Sequence, residues 1–191
     1  MLSRRDAIRG LTLTVGLAAS GWAERAMAAA PAPATLSWTP TALTADQARL
    51  VDVVAELIIP ATDTPGARDA GVPQFVDRTV ATYYDKGQAE RFLAGLARMD
   101  VDARGAYGDI FVSLTPQQQV ELLTRYDQEA EAARNQTPDQ AHFFPVIEDL
   151  VTVGYFTSEL GATKALIYEP VPGAYHGCVP LAEIGRAWAM R

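Results

Sequence analysis

The chain has 191 residues, 23 of them acidic and 16 Lys or Arg, and a formal net charge of −7. Apolar residues make up 49 % and charged residues 20 %, which excludes wholesale disorder. The acidic balance argues against nucleic-acid binding, which needs a basic stripe to neutralise phosphates. One cysteine excludes an internal disulfide framework, a cysteine-based zinc site and a c-type haem pair. Two histidines, His142 and His176, exclude a histidine-rich metal site.

Residues 1–28 read as an export signal. Arg4 and Arg5 precede an apolar run, Leu11 to Ala19, that falls short of the roughly 20 residues needed to span a bilayer. Ala26-Met27-Ala28 fits an A-x-A cleavage site, and the Arg pair is the twin-arginine signature. The expected route is therefore the Tat translocon and the expected location the periplasm. Recognised as a Tat signal, the segment implies cargo that folds before export, with a cofactor or beside a partner holding one. Cleavage after Ala28 removes four arginines and two acidic residues, leaving 12 basic against 21 acidic residues over 163 positions. In that oxidising compartment Cys178 is either a buried thiol or half of an intermolecular disulfide.

Residues 29–43 form a Pro/Ala-rich linker, expected to be extended. Thr44 and Gln47 make a capping-box pattern that opens a first helix. Leu50, Val51, Val53, Val54, Leu57 and Ile58 supply its apolar spacing, and Pro60 ends it. Asp46, Asp52 and Glu56 fall on its polar side and are expected to face solvent. Residues 60–73 carry three prolines and two glycines and read as an ordered loop, in which Asp63 and Thr64 are turn formers. Pro73 starts a second helix bearing Phe75, Val76, Val80, Tyr83 and Tyr84. A third runs from Gln88 to Tyr107, with Phe92, Leu93, Leu96 and Met99 inward. Thr115-Pro116 opens a fourth, which reaches about Ala133, and Asn135 to Asp139 is a polar break. A fifth begins near Pro145 and carries Val146, Ile147, Leu150, Val151 and Tyr155. Glu169 to Pro180 is irregular and proline-rich, before a short helix over Leu181 to Trp188. The expected fold is all-α: a compact bundle of about five helices in a single domain, 44–191, with an irregular C-terminal segment.

Chemistry is scarce. Gly154, Gly161 and Gly173 do not form a phosphate-binding fingerprint, and Ser37, Ser113 and Ser158 lie outside any nucleophile elbow. His142, before Phe143-Phe144-Pro145, reads as a helix-entry cap or a packed ring. His176 beside Cys178 could in principle make a Cys/His nucleophile, but the surrounding proline-rich loop favours an interface or structural role. Asp100/Asp102 and Glu129/Glu131, spaced i, i+2, point to different helix faces and read as solvated. Tyr155, Phe156, Tyr168, Tyr175 and Trp188 are either core or anchors for a partner. The proline-rich segment cannot form its own backbone ladder and needs something to lie against.

Several segments together resemble one family. Leu57-Ile-Ile-Pro-Ala-Thr-Asp-Thr-Pro-Gly-Ala-Arg-Asp-Ala-Gly-Val-Pro-Gln-Phe-Val-Asp77, Gly154-Tyr-Phe-Thr-Ser-Glu-Leu-Gly-Ala162 and Tyr168 to Pro180 are similar to the gluconate 2-dehydrogenase subunit 3 family. They look most like the versions paired with periplasmic glucoside 3-dehydrogenases. The resemblance spans about residues 44–180. It implies a small subunit without a cofactor of its own, beside a large subunit of the glucose–methanol–choline (GMC) oxidoreductase type. That large subunit binds FAD, oxidises a sugar hydroxyl and is exported with the small one. Haem c in a third subunit, or a diffusible cytochrome c, takes the electrons. The resemblance supplies no catalytic residue. Asp63, Thr64, Pro65 and Gly66 are expected to form a rigid structural or interfacial loop. Tyr155, Phe156, Tyr175 and Cys178 are expected at the partner interface, with Cys178 in an intersubunit disulfide. Two other readings stay open: a stand-alone periplasmic enzyme, and a chaperone for another exported redox protein.

Overall fold

The computed structural model describes residues 36, 38–133, 142–171, 173 and 178–189. Arg4 and Arg5 lie outside the described residues, as do the signal peptide, Tyr175 and His176. Helix α1 spans Ala45–Ile58. The Thr44 hydroxyl accepts the Gln47 N–H, and the Gln47 side chain accepts the Thr44 N–H, so the expected capping box forms. Helix α2 (Val72–Thr82) leaves from Gly71, whose φ of 71° needs glycine. Helix α3 (Lys86–Tyr107) starts two residues before the expected Gln88, because Gln88 closes a second capping box with Asp85. A 3₁₀ turn, Phe111–Ser113, leads to α4 (Pro116–Ala133). Helix α5 covers Phe144–Phe156 and runs on to a π-helical turn, Gly161–Ala165. Helix α6, Leu181–Ile184, is the last element. The fold is thus the expected all-α bundle of five main helices. Among the described residues its only β feature is an isolated parallel bridge, Ile167 to Trp188.

Helix α5 is the central element and packs against α1, α2, α3 and α4. Its Ile147, Val151 and Tyr155 meet Val51 and Val54 of α1, Val76 of α2, Leu96 and Met99 of α3, and Tyr126 of α4 in one buried cluster. Each such side chain contributes about 1.5–3 kcal/mol on burial. Phe111 plugs the cluster from the 3₁₀ turn and is fully buried. Its N–H donates to Asp100 Oδ1 at 3.0 Å, and its carbonyl accepts Gln119 Nε2 at 2.9 Å.

Four expectations are corrected. The packed chain begins before residue 44: the amides of Thr41, Ala42 and Leu43 all donate to the Asp77 carboxylate, at 2.8–2.9 Å. Leu43 is in the core, and Leu36 and Trp38 pack against it. The 29–43 segment is therefore no free linker at its C-terminal end. Tyr83 closes α2 with 76 % of its surface exposed, while Tyr84 packs edge-on against Phe92 with ring centres 6.3 Å apart. The last helix stops at Ile184 because Gly185 turns left-handed at φ 82°. Asp100, Asp102 and Glu129 are not simply solvated. Asp102 accepts the Tyr126 hydroxyl at 3.0 Å, and Asp102 and Glu129 share Arg98 and Arg125 between α3 and α4.

His142 does cap α5, as expected: its Nδ1 accepts the Phe144 N–H at 3.3 Å. The neutral tautomer then carries its proton on Nε2, which is buried 3.3 Å from Glu129 but not aligned for a hydrogen bond. Burial, and then the Arg98 charge, hold the His142 pKa below 6.5 despite Glu129 and Asp102. The unfolded chain therefore takes up this proton first as pH falls. The stability contributed by neutral His142 is full above 6.5 and declines as pH drops through 6.5 toward the lower folded value. Urea unfolding between pH 7.5 and 5 should show that decline, and H142Q should flatten part of it. An identical slope in H142Q would refute the assignment.

Candidate partner interface

The 60–71 loop is held from below by two carboxylates of α1 that were expected to face water. Asp52 and Glu56 are 7 % and 8 % exposed. Glu56 Oε1 accepts the Ala61 N–H at 3.1 Å, and Oε2 accepts the Arg68 N–H at 3.0 Å, so one carboxylate pins both arms of the loop. Asp52 grips the Arg68 guanidinium through Nε at 2.9–3.0 Å and through Nη2 at 2.7 Å. Burial alone would lower the Arg68 pKa, but Asp52, Glu56 and Asp69 outweigh it and hold it above the ordinary value. Hydrogen bonds to charged groups contribute about 1.5–3 kcal/mol each. These contacts make the loop a fixed surface.

The four loop residues separate by depth. Asp63 is exposed, and its carboxylate accepts the Thr62 hydroxyl at 2.9 Å. Thr64 and Pro65 are half-buried, and the Thr64 carbonyl closes the tip by accepting the Thr62 N–H. Gly66 is buried because the Glu56 carboxylate passes over it. A Cβ there would lie 2.6 Å from Glu56 Oε2 and 2.7 Å from the Ala61 nitrogen. Within the loop the tip, residues 61–63, and Asp69 are exposed.

The aromatic pair also divides. Tyr155 is 2 % exposed, and its hydroxyl donates to the Pro65 carbonyl at 2.7 Å. It supports the loop from inside and cannot present its ring to a partner, which corrects the expectation that it faces outward. Phe156, one residue on, is 40 % exposed. Cys178 is exposed, with a φ of 59°. Tyr155 belongs to the loop's foundation, whereas Phe156 and Cys178 are surface residues.

The sequence reading missed the outer face of α5. Val146 and Val153 are 42 % and 51 % exposed, and with Phe156 they recur at i, i+7 and i+10, on one side of the helix. Among the described residues, seven of the nine exposed large apolar side chains lie within residues 146–188, so their bare apolar surface is concentrated in α5 and the chain after it. The signal was available: α5 has only Glu148, Asp149 and Thr152 as polar positions, and a helix apolar nearly all round is normally covered. Asp52 and Glu56 could likewise have been suspected as a polar i, i+4 pair in an otherwise apolar run followed by a loop arginine.

Among the described residues no cluster of three His, Cys, Asp or Glu could hold a metal, and no helix is long and apolar enough to cross a membrane. An open groove of about 370 Å³ lies between α3 and α4, lined by Tyr107, Glu121 and Arg125. The fold and these surfaces define a helical module with a fixed loop and an uncovered apolar helix face. The description of one protein family, gluconate 2-dehydrogenase subunit 3, matches residues 45–173, and the chain belongs to that family. The family is that of a small subunit of a dehydrogenase complex. No curated protein and no solved structure matches the chain.

G66A should force the Glu56 carboxylate off the loop and destabilise the chain by about 1–3 kcal/mol. Chemical denaturation measures it, and a midpoint equal to wild type would show that the loop is not clamped by Glu56.

Proposed function

We propose that the chain is the non-catalytic small subunit of a periplasmic sugar dehydrogenase. It binds and stabilises an FAD-dependent large subunit of the GMC type and carries it through the Tat pathway. The single observation that carries this reading is the family match over residues 45–173, which includes both the clamped loop and α5. Arg4-Arg5 before a short apolar run supports the export role. In this reading FAD sits in the partner and haem c in a third subunit or a cytochrome c. The sugar is a glucoside oxidised at C3, or gluconate. Cys178, the lone cysteine and exposed, is proposed to pair with a partner thiol.

Affinity purification of the tagged chain from its own periplasm is the direct test. The eluate should contain a larger chain, show flavin absorption bands and oxidise sugar with an artificial electron acceptor. On a non-reducing gel, Cys178 should join the two chains in one band. A colourless single chain under gentle conditions would reject the reading in favour of a stand-alone enzyme or of a chaperone for another redox protein.

Replacing Arg4 and Arg5 by Lys should strand both chains in the cytoplasm. Fractionation followed by activity measurement checks this. A large subunit that still reaches the periplasm would show that it does not travel with this chain.

A further inference from the structure

We propose that the outer face of α5, with Val146, Val153 and Phe156 at its centre, is where the large catalytic subunit docks, through an apolar patch edged by Lys and Arg. This assignment rests on the small-subunit reading above and adds the face and the chemistry of the partner surface. Three observations support it.

The first is burial. Helix α5 buries Ile147, Val151 and Tyr155 against the other four main helices yet leaves Val146, Val153 and Phe156 at least 40 % exposed. Phe156 is the type of side chain that anchors protein interfaces.

The second is charge. Asp149 lies on the same side of the helix, three residues from Val146 and four from Val153. Glu148 stands at the α4 edge near Asp127, and its carboxyl is pushed up by burial and then by the Asp127 and Asp149 charges. Among the described residues none of these three carboxylates has an ion-pair partner. From His142 to Thr163 the sequence holds no Lys or Arg. The apolar face thus has an acidic, uncompensated margin, and the complementary surface is apolar with a cationic margin.

The third concerns a second copy as occupant. A twofold dimer through this face would bring two copies of the same acidic margin into one interface, with no Lys or Arg from His142 to Thr163 of either copy to offset them. Like charges across an interface are unfavourable, and a chain of net charge −7 adds to the repulsion. The face therefore suits a different chain.

The test uses the tagged full-length chain in its own host, with recovery of the large flavoprotein read from stained gels. V153E places a charge on a half-exposed position and should reduce recovery by about tenfold or more, the loss of one interface anchor. Its helicity and melting temperature should stay at wild-type values. D149K should also reduce recovery, by repelling the partner's cations. V101E, on α3 at a position 63 % exposed, should leave recovery unchanged. Undiminished recovery with V153E, when wild type brings the flavoprotein down, overturns the face and leaves the small-subunit reading standing. Wild type that brings down no flavoprotein overturns that reading and the face together. A wild-type dimer that V153E turns into a monomer identifies a second copy as the occupant and overturns the proposal.

Discussion

The Glu56 carboxylate is the contact on which the loop and its surroundings depend. It is buried at the end of α1 and accepts one amide from each arm of the loop, Ala61 and Arg68. Its passage over Gly66 excludes any side chain there. Asp52, one turn earlier, takes the Arg68 side chain, so the same arginine is held by backbone and by guanidinium. Tyr155 adds a hydrogen bond to Pro65 from α5. Three side chains from two helices, α1 and α5, thus converge on a loop that lacks a regular backbone ladder. A proline- and glycine-rich stretch becomes a fixed shape because side chains from elsewhere satisfy its amides and carbonyls.

The same geometry couples the loop to the central helix. Tyr155 belongs at once to the core and to the loop's support. Any movement of α5 is therefore felt at the loop, and a partner resting on the outer side of α5 would press on a helix already bonded to the loop. Asp77 plays a similar part at the N-terminal entry, where it gathers three consecutive amides and fixes the start of the packed chain to α2. The charged network of Arg98, Asp102, Arg125 and Glu129 holds α3 to α4 beside His142, which caps the N-terminus of α5. These polar contacts add to the apolar cluster that joins the five helices.

Much of the helical layout was legible in the chain. Thr44 with Gln47 and Thr115 with Pro116 mark helix starts by local hydrogen bonding, and the structure forms both where they were expected. Asp85 was missed because Gln88, its reciprocal partner, looks like a beginning in its own right. The site was less legible. Tyr155 and Phe156 are neighbours of similar chemistry, and a rotation of about 100° per residue sends one inward and the other out. Only packing against the loop says which. Asp52 and Glu56 look like the solvated side of an amphipathic helix until the loop folds back over them and brings Arg68, sixteen and twelve residues further on, to both.

The sequence by itself determined the all-α class, the approximate helix boundaries, the loop between α1 and α2, and the motifs that match the family. Those features depend on contacts within a few residues of chain: caps, proline positions and apolar period. Tertiary structure decided which carboxylates are buried, which aromatic supports the loop and which faces outward, and that one side of α5 is left bare. Those outcomes depend on what lies opposite each side chain in space, and no local pattern contains that information.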